Sequence, residues 1–290
     1  MTKNHLGSIY LALASIIWGG MYVVSKVLLT VIPPLELVWL RYIVALITLI
    51  TASVLTRQSW RIQSRDIPLI IAVGVIGYAL SIWTQFVGTM LSSAQMGAMI
   101  TSATPAFMVI FARLLLKEKI TFRNGSSTFL ATIGVLCIVG IGDIGRSYQL
   151  GGLVLGVAAL SWALMSVIIK LIPSSYSQLV VTTYAIFTAT VIITPFSVSQ
   201  IDQAQLQTLL QPSIWSGILY IGIVSTAGAF FLWNKGLQMV DAASGGLYFF
   251  FQPLSGTLLG WLFLGEQVGI TFWIGAALIL SGVFLVLTEP

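Results

Sequence analysis

Long apolar runs alternate with short polar interruptions along the whole chain. A membrane-spanning helix needs about 20 mostly apolar residues. Windows of that size predict ten helices, at roughly 6–29, 35–55, 67–87, 92–115, 127–143, 150–171, 178–197, 213–234, 242–263 and 269–288. Turn signals mark the junctions: Pro33-Pro34, TRQSWRIQSRD at 56–66, KEKITFRNG at 117–125, Pro173-Ser174-Ser175 and the segment 199–213. That last segment is the longest loop, and no loop is long enough for a soluble domain. Lipid cannot satisfy free backbone amides, so helices are the natural solution, and the period-two pattern of a barrel strand is absent. The expected fold class is an all-α integral membrane protein with ten transmembrane helices. Lys3 before the first run resembles the start of a signal peptide. The run carries no evident cleavage site and is followed by further spans, so it reads as a retained helix.

Composition strengthens this picture. Of 290 residues, 58% are hydrophobic and 7% charged, against about 25% charged in a soluble domain. The mean hydropathy is +1.01. The net charge of +5 comes from basic residues in short loops, which does not indicate a nucleic-acid partner. His5 and Cys137 are the only histidine and cysteine, so neither a disulfide framework nor a histidine metal site is expected, and no cofactor is implied. With the N-terminus inside, ten basic residues (Lys3, Arg57, Arg61, Arg65, Arg113, Lys117, Lys119, Arg123, Lys170, Lys235) face the cytoplasm and three (Lys26, Arg41, Arg146) face out. This bias predicts a multi-pass protein of the cell membrane with both termini cytoplasmic.

One phrase occurs twice. ALASIIWGGMYVVSK at 12–26 is echoed by GVAALSWALMSVIIK at 156–170, with Trp18 matching Trp162 and Lys26 matching Lys170. Further pairs follow at an offset of 148: Gly74 with Gly222, Gly97 with Gly245, Pro105 with Pro253, Glu118 with Glu266 and Gly134 with Gly282. The chain therefore divides into repeats at 1–146 and 147–290, with five expected helices each. An odd number inverts the second copy. Inverted repeats are the architecture of alternating-access carriers, whose cargo sits near the midplane between the repeats.

The doubled phrases, WLRY at 39–42, ATPAFMVIFARLLLKEKIT at 103–121 and FFQPLSGTLLGWLFLGEQVG at 250–269 resemble the ten-helix EamA group of the drug/metabolite transporter superfamily. The likeness spans nearly the whole chain. It implies export of small metabolites, amino acids among them, and it does not name the cargo.

Small polar and aromatic residues recur at three- and four-residue steps, which places them on common helix faces. They are Trp18 and Tyr22 with Ser15 and Ser25; Tyr78, Ser81 and Gln85; Met99 and Ser102 beside Thr101; Trp162, Met165 and Ser166; Phe230 and Asn234; and Tyr248 and Gln252. Polar groups in a span prefer the protein interior to lipid, so these stripes predict a cavity, with helix–helix packing as the alternative role for each. Glu36 and Arg41 are expected near the outer surface, paired with each other or each facing water, either as part of a gate or as a surface ion pair or lipid-headgroup contact. Lys26 and Lys170, near helix ends, either snorkel or close a gate. Glu118 and Glu266 are expected to cap turns. Pro105 and Pro253, inside the fourth and ninth helices, are expected hinges. Gly256 and Gly260 form G-x-x-x-G, read as packing within one protomer, so a monomer is expected rather than a dimer.

GIGDIG at 140–145 lacks the strand–turn–helix context of a dinucleotide site. No mid-membrane acid is evident, which argues against exchange of cationic drugs for protons and for facilitated diffusion or exchange. Proton-coupled antiport remains the alternative. A membrane-embedded enzyme would need a reactive cluster that the sequence does not supply, and a non-transporting scaffold would not need the inverted repeat. Aromatic rings with uncharged donors suit an amphipathic solute such as an apolar or aromatic amino acid. A phosphate ester would want arginine or lysine at mid-depth, where this reading places none.

Overall fold

The computed structural model describes residues 3–91, 97, 100–101, 103–119, 121–139, 146–198, 211–264 and 270–287. Among them there is no strand. The helices are α1 (Lys3–Leu28), α2 (Pro34–Leu55), α3 (Ile67–Leu91), α4 (Thr104–Leu116), α5 (Phe122–Val139), α6 (Arg146–Ile168), α7 (Gln178–Val198), α8 (Pro212–Leu237), α9 (242–264) and α10 (Ile270–Leu287). Six of the described helices are long and apolar enough to cross a membrane: α1, α2, α3, α6, α7 and α8. Prolines start several of them. Pro34, Pro105 and Pro212 stand in first turns, where the missing N–H has no intrahelical partner to lose.

Side-chain placement follows the bilayer as solvent. Large apolar residues such as Ile47, Leu55, Phe187, Phe196 and Phe263 point outward, while Arg41, Gln85, Asn234 and Gln252 are buried. Threonines on α7 donate to carbonyls four residues back, Thr183 to Leu179, Thr188 to Tyr184 and Thr190 to Ile186, which removes each hydroxyl's demand for water.

Packing obeys a pseudo-two-fold pattern. α1 lies against α8 as α6 lies against α3, and α1 lies against α9 as α6 lies against α4. The α2–α7 and α5–α10 contacts pair equivalent helices with each other. Loop 56–66 is clipped to the second half: Tyr184 donates to the Trp60 carbonyl, and Tyr176 donates to Asp66 at 2.6 Å. That bond to the carboxylate raises the Tyr176 phenol above its ordinary pKa.

Two departures from regular helix are also paired. Val73–Ser81 in α3 and Tyr220–Gly228 in α8 are wound as π-helix, at equivalent positions of the two repeats. In α9, Leu247–Phe250 tightens to 3-10 pitch just before Pro253, whose ring cannot donate to the carbonyl four residues earlier. Its counterpart Pro105 stands at the start of α4 rather than inside it, with a turn at Ala103 between it and helical residues 100 and 101. The expected kink in the fourth helix is thus a break on the proline's N-terminal side.

Candidate functional site

Trp18 and Trp162 meet at the centre of the bundle, edge to face, with ring centroids 5.2 Å apart. Each comes from the first helix of its repeat, and the α1–α8 and α6–α3 contacts bring them together. Phe230 lies against both, at 5.9 Å from Trp18 and 5.3 Å from Trp162, and stacks on Tyr78 at 4.6 Å. Trp233 and Phe249 complete the cluster around Trp18. A small cavity of about 20 Å³ lies between these rings and is lined by Trp18, Met21, Arg41, Ser81, Ile82, Gln85, Thr101, Thr104, Ala158, Ala159, Trp162, Phe230, Phe249 and Gln252. The rings touch, so any solute occupying the site has to part them.

Of the expected cavity residues, Trp18, Ser81, Gln85, Trp162, Phe230 and Gln252 line this space. Tyr22, Tyr78, Ser166 and Asn234 stand behind it and hold it. Gln85 donates to the Tyr22 hydroxyl at 2.6 Å, and that hydroxyl lies 3.3 Å from the Thr101 hydroxyl. Asn234 donates to Tyr78 at 2.8 Å and to Thr182 at 2.9 Å, tying α8 to α3 and α7. Ser166 accepts from Trp233 at 3.1 Å. Met165 fills the space beside Gly77 on α3. Tyr248 is buried and stacks on Phe251, away from the lining. Met99, Ser102, Glu266 and the GIGDIG segment lie outside the described residues.

Arg41 corrects the sequence reading most. It is fully buried and lines the cavity. Seven residues separate it from Pro34, so it stands about 10 Å along α2, beyond the reach of a surface ion pair. Its Nε donates to Thr226 at 2.6 Å, and its Nη atoms approach Ser225 and the Met21 sulfur at 3.4 Å. None of these is Glu36, so the expected Glu36–Arg41 pair does not form. Glu36, in the first turn of α2, is buried rather than facing water. Arg41 brings a basic group to the cavity wall, where the sequence reading placed none.

Ser225 and Thr226 are the chief residues that the sequence reading missed, whereas Arg41, expected as a gate near the surface, stands in the cavity wall. Ser225 and Thr226 both belong to the π-wound stretch of α8, where Thr226 donates to the Ile221 carbonyl five residues back and the Ser225 carbonyl accepts from Trp18 Nε1 at 2.9 Å. Glycines at 222 and 228 border that stretch and are its one visible signal.

The two lysines of the repeated phrase differ. Lys26 is exposed. Lys170 is partly buried where α4, α6 and α8 end; it donates to the carbonyls of Leu237 and Val240, and its Nζ lies 3.9 Å from Glu118. Glu118 in turn accepts from the backbone N–H groups of Ala242 and Ala243 at 3.1 and 3.2 Å. It therefore caps the start of α9, not its own turn. Burial holds the Glu118 side chain at 18% exposure, so Glu118→Ala is expected to cost about 1 kcal/mol, as loss of a helix cap does. The thermal midpoint of the detergent-purified protein reads this, and an unchanged midpoint counts against the cap.

An apolar exterior, two equivalent helix sets and an aromatic-lined cavity between them fit a membrane transport protein. Residues 5–140 and 149–288 each match the model of the EamA-like transporter family, and the chain belongs to that family. It is 72% identical over 71 residues, 24% of its own length, to 91% of the putative permease-like protein YdzE of Bacillus subtilis (strain 168). Over 98% of the chain it is 27% identical to 88% of the uncharacterized transporter YetK of the same organism. A solved structure described only as a crystal structure of protein superposes with a TM-score of 0.79 at 19% identity, covering 96% of this chain and 95% of that one. That likeness speaks to the fold.

Proposed function

We propose that the chain is an alternating-access carrier of small amphipathic organic solutes, such as apolar or aromatic amino acids or similar compounds, working chiefly in export. The observation that carries this reading is the meeting of Trp18 and Trp162, equivalent residues of two repeats, across a shared cavity. In this reading the chain makes ten spans in two inverted five-helix repeats, 1–146 and 147–290, sits in the cell membrane as a monomer and keeps both termini in the cytoplasm. Rocking of one repeat against the other parts the rings first toward one face, then toward the other. Transport runs by facilitated diffusion or exchange, with proton coupling as the second reading, since acids outside the cavity remain available to couple.

The experiment is counterflow in proteoliposomes against a broad metabolite panel read by mass spectrometry. Saturable counterflow supports a carrier, unsaturable flux a pore, and no flux a scaffold. Accumulation driven by an imposed pH gradient favours the proton-coupled reading. Pro105 and Pro253 serve as hinges in this scheme, because each adjoins an irregular stretch of its helix. Pro105→Ala and Pro253→Ala are expected to lower the transport rate more than they weaken binding; unchanged rates in both sink the hinge.

A further inference from the structure

A guanidinium inside a membrane bundle is expensive unless an anion or a complete set of hydrogen bonds compensates it. Arg41 has neither. Its three hydrogen-bond partners, Thr226, Ser225 and Met21, are all neutral. A guanidinium carries five N–H bonds, so these three contacts leave two N–H bonds of Arg41 without an acceptor. Among the described residues, no acidic residue lines the cavity into which Arg41 faces.

A second donor is idle in the same place. Trp162 is 5% exposed, and its Nε1–H has no partner. Its counterpart Trp18 gives the same group to the Ser225 carbonyl. Both idle donors border one ring: the Arg41 guanidinium carbon lies 5.7 Å from the centre of Phe230, and the Trp162 ring lies 5.3 Å from it. The charge is also one-sided. The offsets of 144 and 148 that relate the repeats place alanine, Ala185 or Ala189, at the position equivalent to Arg41.

We infer that the cavity selects a monoanionic carboxylate with an apolar or aromatic body. The fork of Arg41 takes both carboxylate oxygens, Trp162 Nε1 donates a further bond, and the body lies among Trp18, Phe230 and Phe249. This rests on the carrier reading and sharpens it. A zwitterion ranks below the monoanion, because its ammonium finds no acid in the lining. A cation is repelled. A phosphate dianion would leave one charge unmatched by the single arginine.

The test holds the body constant and changes the head. Binding of 3-phenylpropanoate, 3-phenylpropanamide, phenylalanine and 2-phenylethylamine to the purified full-length protein is measured by calorimetry, alongside carboxylate–amide pairs with straight and branched aliphatic bodies. The best-bound carboxylate is expected to bind at least about tenfold more tightly than its own amide, the scale of a hydrogen bond to a charged group, with phenylalanine between 3-phenylpropanoate and the amine. Arg41→Gln is expected to erase the carboxylate–amide gap, and Trp162→Phe to narrow it by weakening the carboxylate more than the amide. A merely structural Arg41 would not set the ranking of heads, and the wild-type ranking decides the matter even if Arg41→Gln fails to fold. Equal binding of acid and amide, a gap that survives Arg41→Gln, or no binding by any carboxylate overturns the inference. Saturable counterflow of amides or amines in preference to acids overturns it while leaving the carrier standing; no saturable flux of any solute removes both.

Discussion

Trp18→Phe is expected to destabilise the protein markedly, whereas Trp162→Phe is expected to leave the thermal midpoint nearly unchanged. The two tryptophans are equivalent in sequence and unequal in structure. Trp18 touches Trp162, Phe230, Trp233 and Phe249, and its Nε1 satisfies the Ser225 carbonyl. Phenylalanine keeps much of the ring contact and removes the bond that this carbonyl accepts from Nε1 inside the bundle. A buried hydrogen bond contributes about 0.5–1.5 kcal/mol net, and the lost part of the buried indole adds to it. Trp162 has no hydrogen bond to lose, so its replacement removes only part of an indole. Truncation to alanine adds a cavity, and Trp18→Ala is expected to cost about 3–5 kcal/mol. Thermal melts of both phenylalanine variants in one detergent read the asymmetry. Equal midpoints would show that the Trp18–Ser225 bond contributes nothing to holding α1 against α8.

The sequence carried much of this arrangement. Hydropathy windows located α1, α2, α6, α7 and α8 to within a few residues, because a span has to be apolar over its whole length. The repeated phrase pointed to Trp18 and Trp162, because duplication preserves order even where side chains diverge. Arg41 escaped for a geometric reason. It is the eighth residue of a helix that begins at Pro34, and a charge near a helix start reads as a surface charge until its partners are known. Those partners, Ser225 and Thr226, are more than 180 residues away. The π-wound segments escaped because a π turn differs from an α turn by one residue per turn, which hydrophobic periodicity over nine residues cannot resolve. Lys170 and Glu118 were visible as charges at helix ends. Their joint hold on the start of α9 was not, since it depends on three helices ending where α9 begins.

A comparably large effect is expected at the smallest side chain. Gly19→Ala would place a Cβ 1.9 Å from Ser255 Oγ, 2.6 Å from the Gly256 amide nitrogen and 2.7 Å from the Gln252 carbonyl oxygen. Ser255 can rotate; the two backbone atoms cannot, so α1 and α9 have to separate. Ser255 Oγ lies 3.2 Å from the Ile16 carbonyl across this contact and 2.9 Å from the Phe251 carbonyl of its own helix, so separation removes the first of these acceptors. Association of helices within lipid depends on close backbone approach, since burial from water adds no driving force there. Overpacking of a tight core typically costs about 1–3 kcal/mol, and Gly19→Ala is expected at or above the top of that range because backbone opposes it. At Gly156, on the equivalent helix of the second repeat, an added Cβ would meet nothing within 4 Å, so Gly156→Ala is expected to leave the midpoint unchanged or raise it slightly. The consequence reaches the cavity, because α9 carries Phe249 and Gln252 into its lining. Gly19→Ala is therefore expected to weaken cargo binding as well as stability, and Gly156→Ala to alter neither. A Gly19→Ala protein with the wild-type midpoint would mean that α1 and α9 do not approach this closely, and the cavity between them would have to be redrawn.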